Sequence, residues 1–141
     1  LAGADHLYGR TGNDTLDAGA DAVEDQFFFD TALNAATNVD TLLNADFAED
    51  QVLLDNDIFT ALLSTIATSE GTLGAGYYFE GAGSTGAGAG AGIGIYYDLS
   101  SGGLYYNPTS GVAGDSILFA SIFGASPALS SVDFSLYTDI G

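Results

Sequence analysis

A short repeat near the N-terminal end constrains the fold of this chain more than any other feature. Gly3-Ala4-Asp5-His6-Leu7-Tyr8 is followed nine residues later by Gly12-Asn13-Asp14-Thr15-Leu16-Asp17. Each copy begins with turn-forming residues and continues into a very short stretch with one large apolar side chain. A third copy ends in Asp25-Gln26-Phe27, after two extra residues around Val23-Glu24. Such repeats predict a coil of parallel β-strands in which the apolar side chains stack from rung to rung.

Each copy of the repeat carries an aspartate in its turn. Successive turns of a two-sided coil alternate between edges, so we expect Asp5 and Asp25 on one edge and Asp14 on the other. Carboxylates and the carbonyls of glycine-containing turns are the ligands that calcium prefers. The repeat therefore predicts Ca²⁺ between stacked turns, where it neutralises carboxylates about 4.8 Å apart. The alternative is that these aspartates only initiate turns.

The remainder of the chain also favours β-structure. Strands are predicted near 39–43, 51–54, 77–80, 93–98, 103–107, 116–123 and 133–137, with breaks at Asn107-Pro108 and Ser126-Pro127. Apolar spacing over 58–66 predicts one short helix. We therefore expect an all-β fold, in which a short parallel β-roll (1–30) continues into a β-sandwich or meander (31–141).

Residues 81–94 alternate glycine with small residues (GAGSTGAGAGAGIG). Two interpretations stay open for this segment. It is either a pliable loop between two strands, or a flat, silk-like sheet with its methyl groups on one face.

The charge of the chain excludes several classes of function. One Arg and no Lys stand against 19 acidic residues, which gives a net charge of −18. Such a surface repels phosphate, so we expect no nucleic-acid partner and no binding to anionic membranes. We find no apolar run of membrane-spanning length, and we expect no membrane insertion. Without cysteine the chain has no disulfides and no thiolate ligands.

The residue types also argue against an enzyme. His6 is the only imidazole, and it falls in an outward-facing slot of the repeat. A single histidine cannot form a two-histidine zinc motif, and no Ser-His-Asp set suggests itself. Three Tyr-Tyr pairs, at 77–78, 96–97 and 105–106, place one ring on each face of a strand. Their outward rings either cover the surface or contact another subunit or a glycan.

The segment Gly9-Arg10-Thr11-Gly12-Asn13-Asp14-Thr15-Leu16-Asp17 resembles the RTX nonapeptide, with Arg10 in the second glycine slot. Residues 29–34, 38–42 and 46–47 look like the segment that follows the repeats in RTX proteins with serralysin-type C-terminal ends. Residues 95–98, 103–106 and 132–134 are similar to the rest of that end. The resemblance to RTX proteins therefore covers nearly the whole chain.

This resemblance implies a calcium-binding β-roll capped by β-structure. It also implies secretion to the outside or the cell surface by an ABC-type (type I) exporter, which reads an uncleaved C-terminal signal. Asp139-Ile140-Gly141 is similar to the ending of such signals. The chain begins mid-repeat at Leu1, and we expect it to be a segment of a longer protein.

The resemblance also implies a set of calcium ligands. Asp5, Asp14 and Asp25 match the carboxylate slot. Asp40 and Asp46 match acids of the segment after the repeats, where they are either ligands or turn formers. The positions that would offer carbonyls are Gly3, Gly9, Thr11 and Gly12.

Two functions follow as hypotheses. The first is a calcium-stabilised C-terminal module that serves the folding and export of a secreted RTX protein. The second is a self-assembling structural protomer of an extracellular filament, sheath or surface layer. The Gly/Ala tract, the paired tyrosines and the truncated first repeat favour the second.

Overall fold

Two β-sheets pack face to face in the computed structural model, which describes residues 2–123 and 129–140. The five-stranded sheet has the order β1-β3-β5-β11-β6, and the six-stranded sheet has the order β2-β4-β10-β9-β8-β7. The strands are β1 (His6–Tyr8), β2 (Thr15–Asp17), β3 (Gln26–Phe29), β4 (Asp40–Leu43), β5 (Gln51–Asp55), β6 (Gly71–Thr72), β7 (Tyr78–Gly81), β8 (Gly94–Asp98), β9 (Gly103–Asn107), β10 (Ile117–Phe123) and β11 (Phe134–Tyr137). The predicted all-β class is confirmed.

The N-terminal strands alternate between the two sheets as a parallel coil. β1 pairs with β3 and β3 with β5 in one sheet, while β2 pairs with β4 in the other. The register places Leu7 beside Phe27 and Phe27 beside Val52, so the single apolar residue of each rung stacks on the next. Phe27 and Val52 are fully buried, which accounts for the strict register of this sheet. The same sheets continue across residue 30, because β3 and β2 pair with β5 and β4.

The antiparallel meander is shorter than the sequence predicts. Only β8, β9 and β10 follow one another antiparallel. The opposite edge of β10 pairs parallel with β4, and β11 crosses to the five-stranded sheet, where it pairs parallel with β5. In this position Phe134 and Leu136 stack beside Val52 and Leu54, and all four are buried. Burial of these apolar side chains therefore places β11 beside β5 of the N-terminal coil.

The predicted helix takes the 3₁₀ form, over Thr60–Thr65. Phe59 and Leu62 anchor it, since both are fully buried, and the Phe59 ring lies 5.0 Å from Tyr106 and 5.2 Å from Phe119. The hydroxyls of Ser64 and Thr65 donate to main-chain carbonyls three residues earlier, a local bond that competes with regular helix formation. Two shorter 3₁₀ helices span Ala75–Tyr77 and Ser131–Asp133.

The Gly/Ala tract is a crossover connection and not a silk-like sheet. Residues 82–93 join β7 to β8, which are parallel, and parallel neighbours require a connection of about a dozen residues. The tract lies over the outer face of the six-stranded sheet, where Gly86 contacts the ring of Tyr96. The Tyr96 hydroxyl donates to the carbonyl of Gly92 at 2.8 Å, and Asn107 donates to the same oxygen. Small residues let this connection lie flat against the aromatic ring.

No helix within residues 2–123 and 129–140 is both long enough and apolar enough to cross a bilayer. The predicted break at Ser126-Pro127 lies outside the described residues, as do Leu1 and Gly141.

A matched pair of glycine variants tests the contact between the crossover and Tyr96. Gly86 and Gly83 have φ of 71° and 78°, so alanine at either position bears a backbone strain of about 1–2 kcal/mol. Only at Gly86 would the added Cβ meet the Tyr96 ring, at 2.7 Å, whereas nothing lies within 4 Å of it at Gly83. We expect Gly86→Ala to lower the free energy of unfolding by about 1–3 kcal/mol more than Gly83→Ala, measured by urea denaturation. Equal losses would show that the crossover does not pack on Tyr96.

Candidate metal centre

The repeat aspartates lie where the strands of the coil begin. Asp5, Asp25 and Asp50 directly precede β1, β3 and β5 at one edge, and Asp14 and Asp40 lie at the start of β2 and β4 in the other sheet. Asp5 and Asp25 therefore share one edge and Asp14 lies on the other, as the two-sided coil predicts. Asp50 is not among the ligands predicted from the repeat, although it precedes its strand directly, as Asp25 does.

A repeated hydrogen-bond pattern joins these aspartates between rungs. The Asp5 N–H donates to Asp25 Oδ1 at 2.7 Å, and the Asp25 N–H donates to Asp50 Oδ1 at 2.9 Å. In the other sheet the Asp14 N–H donates to Asp40 Oδ1 at 3.0 Å. The carbonyls of Asp5, Asp25 and Asp14 accept an N–H from the strand that follows each partner carboxylate. Each later carboxylate thus fastens the turn of the rung before it.

Two of the carboxylates keep a buried oxygen without a partner. Asp5 Oδ2 and Asp14 Oδ2 are both removed from solvent and accept no hydrogen bond. A buried acceptor left unpaired costs roughly 1–3 kcal/mol, and more when it is charged. Asp5 and Asp14 precede the first described strand of their sheets, so no earlier aspartate donates its N–H to their carboxylates. A cation held at either position would supply the missing compensation.

The edge with Asp14 and Asp40 brings together four of the residues expected as ligands. A Cβ added at Gly9 would overlap the carboxylate of Asp40, and one added at Gly12 would lie 3.3 Å from Asp14 Oδ2. Burial raises the pKa of Asp40, and the charge of Asp14 raises it further, while the N–H of Asp14 opposes the shift. The Asp40 carboxylate therefore lies against the backbone of Gly9 and beside the main chain of Asp14, and its charge is only partly compensated.

The edge with Asp5 and Asp25 is arranged differently. Burial raises the pKa of Asp50, with smaller contributions from the charges of Asp25 and Asp46. Asp46 forms a turn, because its Oδ1 accepts the N–H of Ala48 at 3.0 Å and its own N–H donates to Asp50 Oδ2 at 2.7 Å. Asp46 is predicted to be either a calcium ligand or a turn former, and these hydrogen bonds give it the turn-forming role.

The last two expected carbonyl donors lie in the turns before the first strands. The Gly3 N–H donates to Asp21 Oδ2 at 2.9 Å, and Thr11 is exposed in the turn before β2. Gly3 and Gly12 have φ of 98° and 128°, which glycine adopts without strain.

Asp98 is a buried carboxylate whose charge is compensated by several hydrogen bonds. Its oxygens accept hydrogen bonds from the hydroxyls of Ser100 and Ser101 and from the N–H groups of Gly83 and Ser100. The Ser100 hydroxyl is the largest of the contributions that hold the pKa of Asp98 well below its usual range. Asp5 and Asp14 lack such donors, so the repeat turns, and not Asp98, are suited to a cation.

Calcium at these turns would depend on backbone oxygens as well as carboxylates. Within the described part of the chain, no group of three or more His, Cys, Asp or Glu side chains is placed to hold a metal ion. Calcium takes six to eight oxygens and accepts backbone carbonyls and water among them. The carboxylate pair of Asp14 and Asp40, the free oxygen of Asp14 and the adjacent glycine backbone fit this donor preference.

The comparisons with known proteins leave the family open. Neither a protein-family model nor a curated protein nor a solved structure matches this chain. The resemblance to RTX proteins therefore remains a prediction from the nonapeptide motif. What the chain does is inferred from its own geometry.

Raised carboxyl pKa values predict an unusual pH dependence in calcium-free buffer. Because Asp40 and Asp50 have raised pKa values, the folded state binds protons more tightly than the unfolded chain between those values and the ordinary carboxyl pKa of about 4. The free energy of unfolding should therefore rise as the pH falls through this window. Below it, stability should fall as Asp98, whose pKa is lowered, loses its charge.

Urea unfolding at a series of pH values in the presence of a chelator measures this effect. Asp40→Asn should weaken the rise, because asparagine does not titrate but can still accept the Asp14 N–H. The exposed Asp57→Asn is the matched control and should retain the full rise. Stability that instead increased with pH across this window would contradict the assignment.

Proposed function

We propose that this chain is a calcium-binding, calcium-stabilised module of a secreted RTX protein, which serves folding and type I export and has no enzymatic activity. The observation that carries the proposal is the buried, unpartnered Oδ2 of Asp14, a residue whose main-chain N–H donates to the carboxylate of Asp40. The equivalent free oxygen of Asp5 beside Asp25 supports a second site of the same kind.

Charge compensation is the proposed mechanism. In cytosol, where calcium is scarce, a chain with net charge −18 repels itself, and the acidic turns resist stacking. Outside the cell, calcium at about ten times a Kd of 10⁻⁴ M would stabilise each site by about 1.4 kcal/mol. Sites on adjacent rungs are coupled, because each rung pairs with the next. Folding would therefore follow export and would be driven by the change of compartment.

Export by an ABC-type transporter and an extracellular or cell-surface location follow from the RTX resemblance. The near absence of Lys and Arg is compatible with it, since internal ammonium groups would compete with calcium for the carboxylates.

Self-assembly into an extracellular filament, sheath or layer is the second candidate function. Among the described strands, β1 and β6 in one sheet and β2 and β7 in the other each pair on one side only, so each has one edge without a partner strand in the described part of the chain. Such edges recruit further strands unless they are protected. Calcium-dependent growth in particle size, followed by light scattering, would favour this function over that of a monomeric module.

A calcium titration of unfolding tests the first proposal. We expect calcium, but not magnesium, to raise the free energy of unfolding by at least about 1.4 kcal/mol at ten times Kd. Asp14→Asn should remove most of this gain, because it withdraws a charged ligand while retaining the size of the side chain. Glu49→Gln removes one negative charge at an exposed position and should leave the gain intact.

Circular dichroism on the same samples reports whether calcium folds the chain or only stabilises it. An equal response to calcium in Asp14→Asn and Glu49→Gln would mean that calcium does not act through the repeat turns, and the proposed sites there would be rejected. Full folding in chelator with no response to calcium would reject calcium-dependent folding altogether.

A further inference from the structure

A row of polar residues crosses the five-stranded sheet at the carboxyl ends of its parallel strands, away from the repeat aspartates. β1, β3, β5 and β11 are adjacent and parallel. Phe29 pairs with Leu54, so Asp30 follows level with Asp55, and Asp55 pairs with Tyr137. Arg10 reaches the same level from the end of β1, where its Nη1 lies 2.5 Å from Asp30 Oδ2.

The row lies on the face of the sheet opposite the core. Phe29, Leu54 and Leu136 belong to the buried core between the sheets. Because successive side chains of a strand point to opposite faces, the residues that follow them (Asp30, Asp55 and Tyr137) lie together on the other face. Their polar groups are nevertheless removed from solvent: the Asp30 side chain is 2% exposed and Asp55 is 4% exposed.

Hydrogen bonds satisfy only part of this row. Asp30 Oδ2 is paired with Arg10, but Asp30 Oδ1 is buried and accepts nothing. The hydroxyl of Tyr137 is also buried, and it has no hydrogen-bond partner among the described residues. Asp55 Oδ1 accepts the N–H of Asp57 at 2.9 Å. An unpaired acceptor and an unpaired hydroxyl thus lie at the same level of one sheet face.

The charges of the row do not balance. Asp30 and Asp55 place two carboxylates side by side at the ends of neighbouring parallel strands. Arg10, the only Lys or Arg of the chain, supplies one positive charge against these two. A bound cation would compensate the negative charge that remains. Like-charged residues side by side on neighbouring strands are destabilising without such compensation.

We propose that this row binds one calcium-sized cation between Asp30 Oδ1, the Asp55 carboxylate and the Tyr137 hydroxyl, at a site separate from the repeat turns. All three donors are oxygens, which hard cations prefer over soft ones. Calcium is favoured over magnesium because it accepts an irregular set of carboxylate, hydroxyl, carbonyl and water oxygens, whereas magnesium demands near-ideal octahedral geometry and dehydrates reluctantly. Arg10 acts as a positioning residue, since it holds one oxygen of Asp30 and leaves the other for the cation.

Terbium luminescence tests this site directly, because Tb³⁺ replaces Ca²⁺ and emits strongly only when a tyrosine close to it absorbs the light. The experiment uses the whole chain, titrated with Tb³⁺ and then with Ca²⁺ or Mg²⁺ as competitor. We expect Tyr137→Phe to lower the sensitised emission at least threefold, while Tyr77→Phe, which changes an exposed ring, leaves it unchanged. Calcium should displace terbium at concentrations at least tenfold lower than magnesium.

Carboxylate variants separate this site from the repeat turns. Asp30→Asn and Asp55→Asn should each weaken Tb³⁺ and Ca²⁺ binding at this site at least tenfold, with the wild-type circular dichroism spectrum as the check on folding. Asp14→Asn should leave the Tyr137-dependent emission in place. If that emission is present but the gain in stability from calcium is the same in Asp14→Asn as in Glu49→Gln, the site in the row stands and the proposed function of the repeat turns fails.

Three outcomes would overturn the site in the row. One is emission that is unchanged in Tyr137→Phe. Another is binding that is unchanged in Asp30→Asn while Asp14→Asn abolishes it, which would place all bound calcium in the repeat turns. If Asp30→Asn fails to fold, Tyr137→Phe decides alone, because it removes only the hydroxyl. A folded wild-type chain that binds no Tb³⁺ at all would reject both sites.

Discussion

Hydrogen bonds from main-chain amides to aspartate carboxylates are the interactions on which the coil depends. Asp25, Asp50 and Asp40 each accept the N–H of the aspartate one rung earlier, at 2.7–3.0 Å. The same turns return a carbonyl to the following strand, so each rung is fixed at two points. This clamp sets the register that stacks Leu7, Phe27 and Val52. A one-residue slip would move these side chains to the solvent face and break the clamp at once.

The same arrangement creates the electrostatic problem that a cation would relieve. Carboxylates repeated on one edge repel one another, and burial increases the cost of their charge. The raised pKa of Asp40 and Asp50 reflects this cost. Where the carboxylates meet enough donors, as at Asp98, the pKa moves in the opposite direction. The fold therefore contains both satisfied and unsatisfied acids, and Asp5, Asp14 and Asp30 are among those that keep a buried oxygen without a hydrogen-bond partner.

Arg10 combines a local cost with a gain from tertiary contacts. Its φ of 66° falls in the left-handed region, where glycine occurs more readily. Its guanidinium nevertheless bonds the buried Asp30 and lies 4.7 Å above the ring of Tyr8. Arg10 stands where the RTX nonapeptide that this segment resembles has a glycine. In the structure, its guanidinium has a buried carboxylate as its partner. The repeat alone does not predict this partner, because Asp30 lies 20 residues later, just after β3.

By itself the sequence determined the all-β class, the two-edge placement of Asp5, Asp14 and Asp25, and the approximate bounds of the later strands. These features follow from local periodicity and turn residues, which act within a few positions of the chain. Only the tertiary structure decided that β10 and β11 pair with the strands of the coil and that the Gly/Ala tract is a crossover over Tyr96. The tertiary structure likewise decided that Asp50 accepts the N–H of Asp25. It also decided that Arg10 meets Asp30 in a row with Asp55 and Tyr137. Each of these depends on which apolar faces find a partner across the core, and that choice joins residues as far apart as Asn56 and Thr138, 82 positions along the chain.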